Sequence, residues 1–278
     1  MKTSAIDHVL ASGLGFTEGP LWTLRATIMI VGLSRGLVHE VDPKDGALIR
    51  SVFVGGRPNG LAEGLDGDIW ITQAGGNGVP PSIQRIRGND VATFAGDFHA
   101  PNDLAFGPDG LLWFTDPAGH ALTDAPQPGR IWTMDTRSGV FTVKAHGIHY
   151  PNGLAFSPGN DALFVAETAT ARILRFGYAD AAIEDPTVFI QMQEGHPDGI
   201  AFDHSAYLYV AATDGGNVQL FTPSGELAEI ITLPPGGFAT NLCFGGAGNN
   251  MLYVTSAKGG TILTMPRETT GLALLTAA

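Results

Sequence analysis

The chain has 278 residues, of which 44% are hydrophobic, with 38 Gly and 18 Pro. This length and turn-rich composition predict a single globular domain over residues 1–278, large enough to bury an extensive core. The net charge of −12 argues against nucleic acid and anionic membranes as partners, because both attract basic surfaces.

The N-terminal sequence MKTSAIDHVLASGLGF lacks the apolar core of about 7–15 residues that is typical of a secretory signal. No apolar run approaches the roughly 18 residues of a membrane span. We therefore expect a cytoplasmic protein, and the sequence does not define its oligomeric state. The single cysteine, Cys243, cannot form an internal disulfide and is predicted to be a small buried hydrophobe.

A short phrase with the pattern Pro-Asn-[Asp/Gly]-Leu-Ala, followed by an apolar strand, recurs along the chain with substitutions. Its copies in chain order are TEGPLW (17–22), PNGLA (58–62), PNDLAF (101–106), PNGLAF (151–156), PDGIAF (197–202) and ATNLCF (239–244). The apolar anchors of these copies are 41, 43, 50, 46 and 42 residues apart. Six copies at that period predict a propeller or a solenoid array.

The residues between the phrases distinguish these two architectures. Each phrase is followed by a turn and a run of β-forming residues, such as LLWFT at 111–115, and two more short runs follow in most copies. No window has a long helical period bounded by caps. The sequence therefore predicts an all-β, six-bladed β-propeller. The last copy offers only three strands, so we expect the N-terminal segment 5–11 to supply its outer strand and close the ring.

Two Gly/Pro-rich insertions, QAGGNGVPPS at 73–82 and PAGHALTDAPQPG at 117–129, follow the second strand of their blades. In an up-and-down blade, the second strand ends on the rim where the first strand begins. Both insertions are therefore predicted to overhang the mouth of the central channel, where loops commonly carry function.

The first strand of each blade lines the channel, so the polar residues that open the six phrases should converge on one axis. They are Glu18, Asn59, Asn102 with Asp103, Asn152, Asp198, and Thr240 with Asn241. Carboxylate and amide oxygens form a hard-ligand set, for which calcium is the natural occupant and magnesium, manganese and zinc are alternatives. A competing interpretation is that Asn before Gly, as in Asn59–Gly60, is a turn residue that tolerates a left-handed backbone.

Other polar residues are predicted on the same rim. Three histidines, His99, His149 and His196, lie close in sequence to phrase residues, and each is either a rim or turn residue or a rival to Asp198 as the base. His196, two residues before Asp198, is the one to test. Polar residues near the ends of second strands are candidates for substrate contact or for capping local backbone. They are Gln73, Thr115, Asp116, Glu167, Asp214 and Lys258. The four tryptophans, at 22, 70, 113 and 132, are predicted to pack between blades.

Taken together, several phrases resemble the regucalcin/gluconolactonase/luciferin-regenerating enzyme family. They are TEGPLW (17–22), PNDLA (101–105), WFTDP (113–117), YPNGLAFSP (150–158) and PDG (197–199). The similarity runs over essentially the whole chain. It implies a six-bladed propeller and, as in most members, a divalent-metal-dependent lactone hydrolase.

The resemblance also implies roles for individual residues. It puts metal ligands at Glu18, Asn152 and Asp198, and it makes Asp198 catalytic as well. Asn102 would face the substrate, with Asp103 beside it in a supporting or substrate-binding role. Ala100 stands two residues before Asn102, where sugar-acid lactonases of the family often carry an Arg.

These elements predict a hydrolase for a small-molecule lactone. A metal would polarise the carbonyl, while Asp198 could take a proton from the attacking water and return it to the leaving alkoxide. The predicted substrate contacts are Asn102, Asp103, Asp116 and His196. Two other classes stay open: a metal-free enzyme similar to strictosidine synthase, and a non-catalytic propeller that binds small molecules or proteins.

Overall fold

A computed structural model of the protein describes residues 1–123 and 125–275. In these residues the regular elements are β-strands and two short 3-10 turns, Leu33–Arg35 and Thr168–Thr170. The strands form six sheets, and the first strand of each sheet contacts the first strand of the next around a closed ring. The prediction of an all-β, six-bladed propeller is confirmed. No helix in this part of the chain is long and apolar enough to cross a membrane.

The chain enters the ring after two short N-terminal strands, β1 (Lys2–Ala5) and β2 (His8–Ala11). Blade one contains β3 (Thr17–Trp22), β4 (Ile28–Gly32), β5 (Leu37–Val41) and β6 (Leu48–Phe53). Blade two contains β7 (Pro58–Glu63), β8 (Ile69–Gln73), β9 (Ser82–Arg87) and β10 (Asp90–Ala95). Blade three contains β11 (Leu104–Phe106), β12 (Leu112–Asp116), β13 (Pro128–Asp135) and β14 (Val140–His149).

The second half of the ring repeats this meander. Blade four contains β15 (Pro151–Phe156), β16 (Ala162–Glu167), β17 (Arg172–Ala179), β18 (Ala182–Ile183) and β19 (Thr187–Gln191), and both β18 and β19 pair with β17. Blade five contains β20 (Pro197–Phe202), β21 (Leu208–Ala212), β22 (Asn217–Phe221) and β23 (Leu227–Thr232). Blade six contains β24 (Ala239–Gly245), β25 (Met251–Ser256) and β26 (Thr261–Pro266).

The N-terminal strands close the ring. Strand β2 pairs antiparallel with β26, with His8 opposite Thr264, so the predicted outer strand of blade six is confirmed. Strand β1 adds a contact that the sequence did not indicate, because it pairs in parallel with β23, with Lys2 opposite Glu229. The N-terminal segment therefore joins blade five to blade six as well as completing the last sheet.

Apolar side chains fill the spaces between neighbouring blades. Trp113 of blade three is fully buried and packs edge-on against Phe156 of blade four, with 5.6 Å between ring centroids. Trp22 of blade one stacks on Tyr253 of blade six at 5.7 Å. An aromatic pair of this kind contributes about 0.5–1.5 kcal/mol beyond the area that it buries. The predicted packing of tryptophans between blades is confirmed at these two contacts.

Two further predictions about particular segments can be compared with the structure. Cys243 is buried and free, and burial raises the pKa of its thiol to about 12, as expected for an inert core residue. The insertions lie between β8 and β9 and between β12 and β13, at the rim where the inner strands begin. Residue 124 of the second insertion is outside the described residues.

Candidate functional site

Each inner strand carries an irregularity at the position of its polar phrase. The pairing of first and second strands shifts between Glu18 and Leu21 in blade one, and equivalent shifts occur in blades two, four, five and six. In blade three the strand itself begins only at Leu104, after Asn102 and Asp103. Bulges of this kind change the direction in which side chains point, and they are common next to functional sites. The polar residues of all six phrases therefore depart from regular strand alternation where the channel opens.

Threonines near the ends of second strands fix these phrases from the neighbouring blade. Thr115 Oγ1 donates to the Asn152 carbonyl at 2.7 Å, and Thr168 Oγ1 donates to the Pro197 carbonyl at 2.7 Å. Thr72 Oγ1 makes the same contact with the Asn102 carbonyl. Because each hydroxyl is buried, it holds the next phrase without competition from water.

The phrase glycines of blades four and five serve a different purpose from the left-handed turn considered for the sequence. Gly153 and Gly199 do not have a positive φ, and neither do Asn152 and Asp198. A Cβ at Gly153 would lie 2.4 Å from the Asp198 carbonyl oxygen, and one at Gly199 would lie 2.0 Å from Asn241 Oδ1. The glycines therefore allow adjacent inner strands to approach closely around the channel.

Three buried carboxylates lie close enough at the mouth for their charges to interact. Glu18, Asp103 and Asp198 are 5%, 9% and 7% exposed, and none of them forms an ion pair with Lys, Arg or His in the described part of the chain. Burial raises the pKa of Glu18 well above its usual range, and the charges of Asp198 and Asp103 raise it further. A buried carboxylate without a cationic partner is costly in the charged form.

Amide side chains surround the carboxylates. Asn241 Nδ2 donates to Asp103 Oδ2 at 3.3 Å. The pKa of Asp198 is also raised well above its usual range by burial and by the charge of Asp103, and the Asn152 amide opposes this rise. Burial raises the pKa of Asp103 to about 6. The structure thus brings together Glu18, Asn152 and Asp198, which the sequence predicted as ligands, with Asp103 and Asn241.

The donor set is one of carboxylate and amide oxygens. Within residues 1–123 and 125–275, no three His, Cys, Asp or Glu side chains form a group that could hold a metal ion by themselves. A site here would therefore use no more than two carboxylates, together with asparagine oxygens. Such a mixed oxygen set suits hard cations, above all calcium.

His120 and Tyr150 extend this cluster, and sequence reasoning did not select either residue. His120 Nε2 lies 3.1 Å from the Ala100 carbonyl oxygen and 3.3 Å from Asn102 Nδ2. Its ring stacks on Tyr150, with 5.7 Å between centroids and 25° between planes. Burial, followed by the charge of Arg57, lowers the pKa of His120 to about 4.

Tyr150 is the more unusual of the two residues because its φ is 59°, which is rare for an aromatic residue. Burial raises the pKa of its phenol, and the charges of Asp198 and Glu18 raise it further. Backbone strain of this kind clusters at functional sites. The signal available in the sequence was its position directly before the phrase of blade four.

The predicted substrate contact at Asp116 requires correction. Its carboxylate is fully buried and accepts four hydrogen bonds, two at each oxygen. Oδ1 accepts from the backbone N–H groups of His99 and Ala100, while Oδ2 accepts from Arg130 Nη2 and Trp132 Nε1. Asp116 therefore positions the segment before Asn102 and has no free oxygen for a ligand.

The same capping contact recurs in other blades. Gln73 Oε1 accepts from the Arg57 N–H at 2.5 Å, Glu167 Oε1 from the His149 N–H at 2.8 Å, and Asp214 Oδ1 from the His196 N–H at 2.8 Å. Side chains at the ends of second strands thus hold the residues that precede the phrases, as the capping interpretation predicted. The imidazole of His196 lies on the rim, with Nδ1 2.8 Å from Asp214 Oδ2.

Beneath the polar ring the channel becomes apolar. It contains a cavity of about 590 Å³ whose walls include Leu61, Leu104, Phe106, Phe156 and Phe202. Asp103 and Asn241 reach this cavity from above, and residues 272–275 also line it. The channel is therefore divided into a polar mouth and an apolar lower half.

Comparison with known proteins defines the family. The profile described as "SMP-30/Gluconolactonase/LRE-like region" matches residues 16–258. This range includes every polar phrase around the mouth. The chain belongs to this family.

Several named relatives are similar along different lengths of the chain. A gluconolactonase of Zymomonas mobilis is 28% identical, over 92% of this chain and 80% of that protein. A 6-deoxy-6-sulfogluconolactonase of Pseudomonas putida is 24% identical, over 87% of this chain and 83% of that protein. A pentonolactonase of Haloferax volcanii is 31% identical over a shorter match, which spans 47% of this chain and 46% of that protein.

Solved structures share the fold. A calcium-binding regucalcin of Agrobacterium tumefaciens superimposes with a TM-score of 0.86 at 19% identity, covering 100% of this chain and 99% of that one. A gluconolactonase of Xanthomonas campestris gives a TM-score of 0.79 at 25% identity, covering 93% and 88%. The low identity to regucalcin limits that likeness to the architecture.

Proposed function

We propose that the protein is a divalent-metal-dependent hydrolase that opens a lactone. The observation that carries the proposal is the group of three buried carboxylates, Glu18, Asp103 and Asp198, which lack cationic partners among the described residues. Membership of a family with relatives named gluconolactonase and pentonolactonase supports the same reaction class.

The residues at the mouth fit a divalent cation. Glu18, Asn152 and Asp198 would hold it, and calcium suits this oxygen set better than magnesium, manganese or zinc. When bound, the cation would offset the repulsion between the carboxylates, keep Asp198 ionised and polarise the carbonyl of the substrate. The fit rests on the oxygen donors and on the buried negative charge that they create.

The side chains of the protein would carry out the proton transfers and the positioning. Asp198 takes a proton from the attacking water and then returns it to the leaving alkoxide, so one carboxylate acts as base and as acid. Asn102 and Asp103 orient the substrate beside Asp198. His120 and Tyr150 form the wall behind Asn102, and His120 remains neutral near pH 7 because its pKa is about 4.

The decisive test is hydrolysis with and without metal. Chelated protein, reloaded with Ca²⁺, Mn²⁺, Mg²⁺ or Zn²⁺, is assayed by acid release on a panel of sugar and non-sugar lactones. We expect turnover that requires metal and falls by at least about 100-fold in Asp198→Ala, the range of general-base losses. Calorimetric titration with Ca²⁺ provides a second readout, in which Glu18→Gln should bind more weakly than the wild type.

A matched control removes a carboxylate from elsewhere. Asp45 lies in an exposed turn between β5 and β6, where it accepts a hydrogen bond from the Ala47 N–H at 2.9 Å. Asp45→Ala should leave both turnover and metal binding at wild-type levels. Full turnover in chelated protein would contradict metal dependence and favour a metal-free enzyme. Metal binding without turnover on any lactone would favour a binding role.

The variant His196→Ala tests whether Asp198 or His196 is the base that takes the proton from water. If Asp198 is the base, this variant keeps most of its activity and its pH profile, since His196 interacts with Asp214 on the rim. A loss as large as that of Asp198→Ala would instead assign the proton transfer to His196.

A further inference from the structure

Arg57 lies at the channel mouth, directly before the start of β7 at Pro58. Its backbone N–H donates to Gln73 Oε1, and its guanidinium Nε donates to the Gly75 carbonyl at 3.0 Å. The end of β8 and the loop after it therefore hold both the backbone and the side chain of Arg57 at this rim.

The charge of Arg57 has no acidic partner in residues 1–123 and 125–275. By contrast, Arg130 and Arg267 each pair with a buried carboxylate. One terminal nitrogen of Arg57 makes a long 3.5 Å contact with the Ala74 carbonyl. Carbonyl oxygens orient the guanidinium but do not neutralise it, so its charge stays available to a ligand.

The strand that follows Arg57 contacts the candidate site. Pro58 opens the inner strand of blade two, and the Gly60 N–H of that strand donates to the Asn102 carbonyl at 2.9 Å. Asn102 Nδ2 lies 3.3 Å from His120 Nε2, and after burial the charge of Arg57 contributes to lowering the pKa of His120. Arg57 is therefore a cation that flanks the site on the side of Asn102 and His120.

We infer that Arg57 selects lactones that carry an anionic group, such as a carboxylate, sulfonate or phosphate ester, away from the reacting carbonyl. The inference rests on the proposed lactone hydrolysis and adds the substrate class. Three carboxylates at the mouth and a net charge of −12 would otherwise repel an anionic substrate. A positioned guanidinium offsets that repulsion and binds an oxyanion through two parallel N–H donors.

The test compares pairs of lactones that differ at C6, where only one member of each pair carries an anionic group. One pair is D-glucaro-1,4-lactone and D-glucono-1,4-lactone, and the other is 6-phosphoglucono-1,5-lactone and glucono-1,5-lactone. The ratio of kcat/KM values, anionic over neutral, is measured for the metal-loaded wild type, Arg57→Gln and Arg57→Lys. Arg35→Gln is the matched control, because Arg35 ends the 3-10 turn after β4 on the same rim.

We expect the wild type to prefer the anionic member of at least one pair by about 10-fold or more, the scale of one charged contact. Arg57→Gln should reduce that ratio by about 10- to 100-fold, Arg57→Lys should retain part of it, and Arg35→Gln should retain all of it. The melting temperature of each variant establishes that it is folded.

Two results would overturn the inference, and they differ from each other. Turnover of the neutral lactones with no preference for the anionic ones, or an equal loss on both in Arg57→Gln, refutes the role of Arg57 and leaves the proposed function intact. No turnover of any lactone by the metal-loaded wild type removes the proposed function and this inference together.

Discussion

Replacing Gly199 by Ala should destabilise the protein, although the change adds only one methyl group. A Cβ at this position would lie 2.0 Å from Oδ1, 2.2 Å from Cγ and 2.6 Å from Cα of Asn241. Real Cβ atoms essentially never approach another heavy atom within 3.0 Å. Rotation of the Asn241 side chain could relieve the first two contacts. The third involves backbone, so strands β20 and β24 would have to move apart.

The change in the free energy of unfolding combines two costs and one smaller gain. Overpacking of a tight site typically costs about 1–3 kcal/mol. Displacement of Asn241 also weakens its hydrogen bond to the Asp103 carboxylate, and bonds to charged groups contribute about 1.5–3 kcal/mol. Gly199 does not have a positive φ, so Ala recovers about 0.4–1 kcal/mol through a less flexible unfolded chain. The sum predicts a net loss of about 2–5 kcal/mol in the free energy of unfolding.

Calorimetric melting of chelated protein measures this loss without a contribution from bound metal. For a chain of this length, 1 kcal/mol corresponds to about 1.7 °C, so the melting temperature should fall by about 3–8 °C. Gly119→Ala is the control, because a Cβ there meets no heavy atom within 4 Å and the φ of Gly119 is not positive. A Gly199→Ala protein that melts within 1 °C of the wild type would refute the reasoning.

Three further predictions concern other carboxylates. Asp116→Ala should cost about 3–5 kcal/mol in urea unfolding, because it removes the buried carboxylate that pairs with Arg130, whose side chain is only 14% exposed, whereas Asp97→Ala should cost almost nothing since the Asp97 side chain is fully exposed. Burial alone would raise the pKa of Glu229, but hydrogen bonds from Arg267 and Ser4 outweigh it and lower that pKa. Glu229 therefore stabilises the fold above about pH 4.3, the pKa of Glu in an unfolded chain, and this stabilisation is lost as the pH falls through its lowered pKa in the fold. The urea midpoint should therefore change less between about pH 3 and 6 in Glu229→Gln than in the wild type. Ca²⁺ at about 1,000 times its dissociation constant should stabilise the wild type by about 4 kcal/mol. If Ca²⁺ raises the melting temperature of Glu18→Gln as much as that of the wild type, Glu18 is not a metal ligand.

The candidate site could be predicted in part. Glu18, Asn152 and Asp198 occupy equivalent places in a repeating unit, and repetition around an axis brings equivalent places together. Asp116 was assigned to the substrate because its sequence position shows which rim it occupies but not which donors reach it. Four donors from two segments, 99–100 and 130–132, use its oxygens, and only the folded chain brings those segments into contact.

The sequence by itself determined the number of blades, their order and the closure of the ring by β2. These features depend on local β-forming patterns and on their spacing, which are visible within each repeat, including the absence of a fourth strand from the last one. Only the tertiary structure decided that Gly153 and Gly199 serve the close approach of neighbouring strands, that β1 joins blade five, and that Arg57, His120 and Tyr150 gather beside the mouth. Those outcomes depend on packing between residues far apart in the chain, and no local pattern specifies which distant surface a side chain will meet.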